Sequence, residues 1–169
     1  MEEKLILVDL YDREIGSAEK LKAHEDSLLH RAFSIFIHDG SRMLIQQRQK
    51  NKYHSGGLWA NACCSHPREG ETLGSAIHRR LLEEMGFDCP LKEQFSFVYR
   101  TEFNNGLCEY EYDHVFLGEY SGKVVPNPEE ASLIRWISFA ELERELLETP
   151  EQFCSWFLIA APKVLAQIQ

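Results

Sequence analysis

The feature that most limits the possible folds is an amphipathic helix pattern in the middle of the chain. From Thr72 to Met85, apolar side chains recur every four residues, and a glycine follows at once. This spacing places the apolar side chains on one helical face, and the glycine is typical of a left-handed C-cap. The apolar positions and the cap are Leu73, Ile77, Leu81, Met85 and Gly86. The apolar face must be buried against a second layer, which the rest of the chain has to supply.

Short apolar blocks elsewhere predict the strands of that layer. They lie at residues 5–8, 33–37, 43–45, 95–99, 109–117 and 133–137. His38-Asp-Gly-Ser41 is typical of a hairpin turn between the second and third blocks. We predict an α+β layered domain in which helices flank a central mixed β-sheet.

Two further helices are predicted near the C-terminal end of the chain. Ser138 and Glu141 have the spacing of a capping box, which predicts a helix from there to about Leu147. Thr149-Pro150 predicts the start of another helix, which Pro162 should kink or interrupt.

Composition limits the class of protein. A chain of 169 residues is long enough for one compact domain and short for two, so we predict a single domain over residues 1–169. No apolar stretch approaches the roughly 20 residues of a membrane span, and no signal pattern precedes residues 5–8, so we expect a cytoplasmic protein. The five cysteines are an odd number at irregular spacings, which favours reduced thiols over disulfides.

The formal net charge of −9 argues against nucleic-acid binding. It also means that an anionic substrate would need a locally positive site. The central helix offers charged residues for such a site, since Arg79 and Glu83 are four apart, as are Arg80 and Glu84. These pairs are equally compatible with a solvated helix that carries weak salt bridges.

Residues 65–87 resemble the Nudix box, a loop-helix-loop in which carboxylates hold Mg²⁺ against a diphosphate. Positions that match its pattern are Glu71, Arg79, Leu81, Glu83, Glu84 and Gly86. Ser65 replaces the opening glycine, Phe87 the final aliphatic residue, and Arg80 the glutamate that directly follows the pattern's arginine, Arg79. In Nudix hydrolases that glutamate helps to build the metal centre. A guanidinium in its place favours phosphate binding and argues against diphosphate hydrolysis.

Three other segments hold residues that can bind metals or transfer protons. Each has an ordinary structural interpretation: a lone histidine is usually hydrogen-bonded, same-face glutamates on a strand usually form a solvated edge, and paired cysteines usually pack in a core. The residues concerned are His24 and His30, then Cys63, Cys64 and His66, then Glu109 and Glu111.

Taken together, these segments resemble the type I isopentenyl-diphosphate isomerases over about residues 20–156. The shared patterns, in chain order, are His24 with His30 to Ser34, Asn61-x-x-Cys64-x-His66-Pro67, Tyr99-Arg100, Glu109-x-Glu111 and Trp156. The resemblance implies an enzyme that moves the double bond of a small prenyl diphosphate by adding one proton and removing another.

The resemblance also implies roles for individual residues. The catalytic residues would be Cys64, Glu111, Tyr99 and Trp156. The diphosphate would be bound by Lys20, Arg48, Lys52 and Arg80. One divalent ion, Mn²⁺, Mg²⁺ or Zn²⁺, would be held by His24, His30, His66, Glu109 and Glu111, and a second ion, Mg²⁺ on the diphosphate, by Glu84. Which of Cys64 and Glu111 protonates the substrate stays open, as does the oligomeric state.

The sequence departs from the family pattern at one loop. Ser55-Gly56-Gly57 stands where a Trp/Phe-Pro-Gly stretch is common, which should change the pocket wall. His54 in the same loop is interpreted as solvent-exposed and without a role. Two other functions remain as alternatives: a Nudix pyrophosphohydrolase that acts on a nucleoside or other diphosphate, and a non-catalytic, metal-binding or regulatory Nudix domain.

Overall fold

The computed structural model describes residues 2–169 and contains one nine-stranded sheet with four helices. The strands are β1 (Lys4–Val8), β2 (Glu14–Glu19), β3 (His30–His38), β4 (Arg42–Arg48), β5 (Trp59–Asn61), β6 (Cys63–Ser65), β7 (Lys92–Glu102), β8 (Cys108–Glu119) and β9 (Ala131–Ser138). The helices are α1 (Lys20–Glu25), α2 (Leu73–Met85), α3 (Phe139–Glu148) and α4 (Ser155–Ile168), with a 3-10 turn at Pro150–Gln152.

Strand β3 is the centre of the sheet. It pairs antiparallel with β1, β4 and β6, and parallel with β8, where His30 lies opposite Glu111. The β7–β8 hairpin extends the sheet on one side, and β9 extends it beyond β4. The sheet is therefore mixed, and the prediction of an α+β domain is confirmed.

The two faces of β3 bury different halves of the core. Phe33, Ile35 and Ile37 pack on the side of α2, whereas Phe36 packs on the side of α4. This alternation follows from the two-residue repeat of a strand, whose side chains point to opposite faces in turn. Both faces of the central strand are covered, so the fold is layered.

The two capped helices form as predicted. The Thr72 hydroxyl accepts a hydrogen bond from the Ser75 backbone N–H at 3.1 Å, and Gly86 ends α2 with φ of 74°. The Ser138 hydroxyl accepts from the Glu141 N–H at 3.3 Å, at the start of α3. Local hydrogen-bonding chemistry sets these boundaries.

The last helix differs from its prediction. Thr149-Pro150 leads only into the short 3-10 turn, and α4 begins at Ser155. Pro162 lies inside α4 without interrupting it. Proline removes one helical hydrogen bond, but Ala161 and Val164 on either side are fully buried. Core packing therefore keeps the helix continuous.

Three short strands, β2, β5 and β6, and the six-residue helix α1 were not predicted. No helix within residues 2–169 has the length and apolar character needed to span a bilayer.

Candidate active site

A cavity of about 150 Å³ is lined by residues of both α2 and α4 and gathers most of the predicted site residues. Those that line it are Lys20, Arg48, Lys52, Cys64, His66, Arg80, Glu84, Glu109, Glu111 and Trp156. Glu109 and Glu111 reach it from β8 because alternate residues of that strand point to the same face. Residues far apart in the sequence thus meet around one small space.

Three predicted residues lie against the two carboxylates instead of lining the cavity. The Tyr99 hydroxyl contacts both carboxylates, Glu109 Oε2 at 2.8 Å and also Glu111, and shares its one proton between them. His30 Nε2 lies 3.2 Å from Glu111 Oε2, and His24 Nε2 lies 3.9 Å from Glu109 Oε1. Tyr99 therefore orients both glutamates, and His30 orients Glu111.

The three predicted histidine ligands have the arrangement of a metal-binding set. Nitrogen atoms of His24, His30 and His66 lie within 4.8 Å of one another, and all three residues are buried. His24 Nδ1 donates to the Lys20 carbonyl at 2.6 Å, and His30 Nδ1 to the Leu28 carbonyl at 2.8 Å. Because a carbonyl can only accept, Nδ1 of each ring carries a proton, and in the neutral imidazole the Nε2 lone pair is available to a ligand.

The protonation of this cluster also suits a cation. Burial lowers the pKa of His66 to about 4 and lowers that of His24. Burial opposes ionisation of Glu111, but hydrogen bonds from His30 and His66 hold the pKa of Glu111 well below its usual range. The same Glu111 raises the pKa of His30 against the effect of burial. Lone pairs and an ionised carboxylate converge here, so the donor set fits a divalent metal ion.

The two adjacent cysteines point in opposite directions from β6. Cys63 is fully buried against the α2 side, whereas Cys64 lines the cavity. The Cys64 thiol donates to Asn61 Oδ1 at 3.0 Å, and Trp156 Nε1 donates to Cys64 Sγ, also at 3.0 Å. Burial raises the pKa of the Cys64 thiol well above its usual value. Cys64 is thus held as a thiol next to an indole ring.

Asn61 holds both Cys64 and Trp156 in position. Its side-chain nitrogen donates to the backbone carbonyls of Ile35 and Cys63, at 3.0 Å and 2.8 Å. That leaves Oδ1 as the acceptor for Cys64 and for Trp156 Nε1, the latter at 3.1 Å.

A group of cations occupies another part of the wall. Lys52 Nζ and Arg80 Nη2 approach the two oxygens of Glu130 at 2.6 Å and 3.4 Å, and Arg80 also pairs with Glu84. Arg48 lies over the Trp156 ring at 5.4 Å from its centroid. Nε of Arg48 and of Arg80 is buried, with no hydrogen-bond partner among residues 2–169. These donors can serve an anion.

The interpretation of His54 as an exposed residue is wrong. Its side chain is 1% exposed, and Nε2 lies 2.6 Å from Glu109 Oε1. The loop that carries it folds inward, and the imidazole stacks on Phe103 at 4.5 Å between ring centroids. No pattern in the sequence marks this position, because inward folding depends on contacts with a distant turn.

Sequence reasoning also missed other cavity residues, chiefly Ser34, Tyr53, Asp113 and Glu130. Asp113 could have been found, since it continues the alternation of Glu109 and Glu111 along β8. Its Oδ2 accepts from the Ser34 hydroxyl at 2.8 Å, while Oδ1 is buried without a partner among residues 2–169. Burial and the nearby Glu111 raise the pKa of Asp113 well above its usual value.

Comparison with known proteins shows which family the chain resembles. Residues 28–157 match the NUDIX domain. An isopentenyl-diphosphate Delta-isomerase of Burkholderia multivorans is 51% identical, covering 93% of this chain and 90% of that protein. Isopentenyl-diphosphate Delta-isomerase 2 of Aromatoleum aromaticum is 49% identical, covering 98% and 88%.

The fold is also similar to that of solved structures whose sequences are much less similar to this chain. A crystal structure of a Deinococcus radiodurans protein superposes with a TM-score of 0.71 at 18% identity, covering 87% of this chain and 90% of that one. At that identity the likeness concerns the fold alone. The NUDIX match and the close sequence relatives together place the chain in a family: it belongs to the NUDIX proteins and, among them, to the isopentenyl-diphosphate Delta-isomerases.

Proposed function

We propose that this protein interconverts isopentenyl diphosphate and dimethylallyl diphosphate. The observation that carries the proposal is the meeting of Cys64, Glu111 and Trp156 in one cavity that also holds unpaired guanidinium donors. The reaction adds a proton to the terminal alkene carbon and removes one from the carbon next to the diphosphate-bearing carbon. The relatives' names support the same activity.

The cations would bind the diphosphate end of the substrate. Lys20, Arg48, Lys52 and Arg80 all line the cavity. Glu130 holds Lys52 and Arg80 close together before substrate arrives. Charge-assisted hydrogen bonds from guanidinium groups are well suited to phosphate oxygens. They provide the local positive charge that a chain of net charge −9 needs.

The prenyl end would lie against Trp156. Protonation of the alkene creates positive charge at a tertiary carbon, and an aromatic face stabilises such a charge by about 2 kcal/mol when water is excluded. Trp156 is 3% exposed and lines the cavity. The indole is therefore placed where it can face a cation.

Cys64 and Glu111 would exchange the two protons with the substrate. Burial favours the protonated form of Cys64, while the imidazoles favour the ionised form of Glu111. Tyr99 donates to Glu111 and orients its carboxylate. General acid and base groups at fixed positions in a dry site contribute about 10²–10⁴-fold to the rate of a proton transfer.

We propose two metal positions. His24, His30, His66, Glu109 and Glu111 would hold one divalent ion, Mn²⁺, Mg²⁺ or Zn²⁺, and Glu84 would hold Mg²⁺ together with the diphosphate. The ions would supply positive charge that offsets the buried carboxylates and the substrate anion. We also propose one domain over residues 1–169 and a cytoplasmic location.

The hydrolase alternative is less supported. Arg80 occupies a position where the Nudix box has a glutamate, and its guanidinium pairs with Glu83 and Glu84 instead of adding a metal ligand. Neither Cys64 nor the histidine cluster is needed for hydrolysis. The close relatives are named as isomerases.

The test is incubation with isopentenyl diphosphate and Mg²⁺, followed by NMR. Formation of dimethylallyl diphosphate, lost after chelation and restored by metal, is the expected result. Metal-replete protein that forms no product would overturn the proposal. Phosphate or nucleoside monophosphate released from a nucleotide panel would instead identify a hydrolase.

A further inference from the structure

His54 lies at the metal cluster although it comes from a different segment than the other histidines. It follows β4 in the loop of residues 49–58, and its side chain is 1% exposed. Nitrogen and oxygen atoms of His24, His54 and Glu109 lie within 4.8 Å of one another. His24 also belongs to the group with His30 and His66. The two groups therefore adjoin through one shared residue.

The contact between His54 and Glu109 is close without being a hydrogen bond. Nε2 and Oε1 are 2.6 Å apart, yet Nε2 has no correctly aligned hydrogen-bond partner among residues 2–169. A buried imidazole nitrogen without a partner costs free energy unless something else satisfies it. An imidazole nitrogen and a carboxylate oxygen that lie this close without a hydrogen bond between them can both bind one cation.

The ring of His54 is also held in orientation. Nδ1 lies 3.1 Å from Ser55 Oγ, which directs Nε2 to the other side of the ring, toward Glu109. One face stacks on Phe103, with 6° between the planes, and Tyr53 packs edge-on at 4.4 Å. His24 and His30 have the same arrangement: one ring nitrogen bonds to a nearby oxygen, and the other is directed at a carboxylate.

We propose that His54 supplies a fourth imidazole nitrogen to the divalent metal site, bound on the Glu109 side together with His24. This inference rests on the metal centre in the proposed function and adds a ligand to it. An extra neutral nitrogen ligand favours nitrogen-preferring ions such as Zn²⁺ or Co²⁺ over Mg²⁺. It also ties the loop that carries Lys52 to the metal.

The first test is metal binding by chelated protein, with Co²⁺ as the probe. His54→Ala should weaken Co²⁺ binding by about tenfold or more and shift its visible absorption bands, because the ligand field changes. His78→Ala is the matched control: His78 is 41% exposed and contacts Asp88 away from the cavity. The control should bind Co²⁺ as the wild type does. Wild-type affinity and spectrum in the folded His54→Ala protein would overturn the inference.

A second test uses only wild-type protein, so it remains possible if the His54→Ala protein does not fold. In wild-type protein loaded with Co²⁺, each coordinated imidazole gives a strongly shifted, solvent-exchangeable N–H signal in the proton NMR spectrum. Four such signals support the inference, and three overturn it. The isomerase assay on the wild type separates the two proposals. Turnover with only three signals would overturn the His54 ligand alone, whereas wild-type protein that binds no Co²⁺ would overturn the metal centre too.

Discussion

At the scale of single residues, the alternation of β6 separates two cysteines that are adjacent in the sequence. Cys63 packs in the core against α2, and Cys64 contacts Asn61 and Trp156 at the cavity. One thiol is therefore part of the packing, and the other can reach a substrate. The register of a three-residue strand decides which one, since a shift by one residue would exchange their faces.

Cys64→Ala should lower kcat by at least about a hundredfold, because it removes one of the two proposed proton-transfer groups. Cys63→Ala should keep kcat within a few-fold and lower the free energy of unfolding by about 1–2 kcal/mol, since it removes a buried atom from the core. Steady-state assays and urea unfolding of both variants measure these effects. Equal loss of turnover in the two variants would contradict the assigned register.

Asp113 gives a pH-dependent prediction. The pKa of Asp113 is raised in the folded protein. Its protonated form therefore gives its full stabilisation below the unfolded pKa, near 3.8. This stabilisation is lost as pH rises through the folded pKa. Asp113→Asn keeps an acceptor for Ser34 and removes the buried charge. The metal-free variant should therefore gain stability over the wild type as pH rises, with a slope of up to about 1.4 kcal/mol per pH unit.

Urea unfolding of both metal-free proteins from about pH 4 to pH 8 measures this difference. Stability curves that run parallel across that range would show that Asp113 ionises as freely in the folded protein as in the unfolded chain.

At the scale of elements, α2 carries two neighbouring arginines with different tasks. Arg79 makes two hydrogen bonds to Glu71, at 2.7 Å and 2.8 Å, and so ties the helix to the preceding loop. Arg80 faces the cavity, where it pairs with Glu84 and approaches Glu130. Arg79 therefore stabilises the loop before the helix, whereas Arg80 lines the cavity that we propose binds the diphosphate.

Arg80→Met should raise the KM for isopentenyl diphosphate by at least about tenfold, because a charge-assisted contact to phosphate is worth about 1.5–3 kcal/mol. Arg79→Met should leave KM within about twofold and lower the free energy of unfolding by about 1 kcal/mol, as for a partly exposed ion pair. Kinetics and thermal melts of both variants test this. Unchanged KM in Arg80→Met would remove Arg80 from the diphosphate site.

Elements with strong local signals were predictable, and those made by tertiary contacts were not. The caps of α2 and α3 and the apolar blocks of β3 and β8 have local causes. Strands β5 and β6 are three residues long, and they exist because β4 and β3 pair with them.

In the loop of residues 49–58, two parts of the backbone pass very close to each other. A Cβ at Gly56 would meet the Lys50 carbonyl oxygen at 2.5 Å, and Ser55 has a φ of 54°. Such a conformation cannot be read from composition, so the inward position of His54 was missed. The family pattern pointed to ten of the residues that line the cavity, because such a pattern records side chains that meet only after folding.

At the scale of the whole molecule, a buried group of histidines and carboxylates joins α1, β3 and β8. Removing metal leaves these polar groups facing one another in the interior. A ligand at a hundred times its Kd stabilises the folded state by about 2.7 kcal/mol. We therefore expect chelation to lower Tm by about 5–10 °C.

Scanning fluorimetry of chelated protein, with and without added Mn²⁺ or Zn²⁺, measures that change. His30→Ala, which removes a proposed ligand, should respond less to added metal, while His78→Ala should respond fully. A Tm that does not depend on metal in the wild type would speak against the His and Glu site.

The parallel ladder between β3 and β8 has a consequence for how the chain folds. His30 and Glu111 face each other across it although they are 81 positions apart in the sequence. Pairing over such a separation requires closure of a long loop, which slows folding relative to local contacts. The cluster therefore cannot nucleate folding as a local turn would. We expect it to form late in folding. Recovery of metal binding during refolding would then follow the formation of the native sheet topology and not the earlier formation of helices.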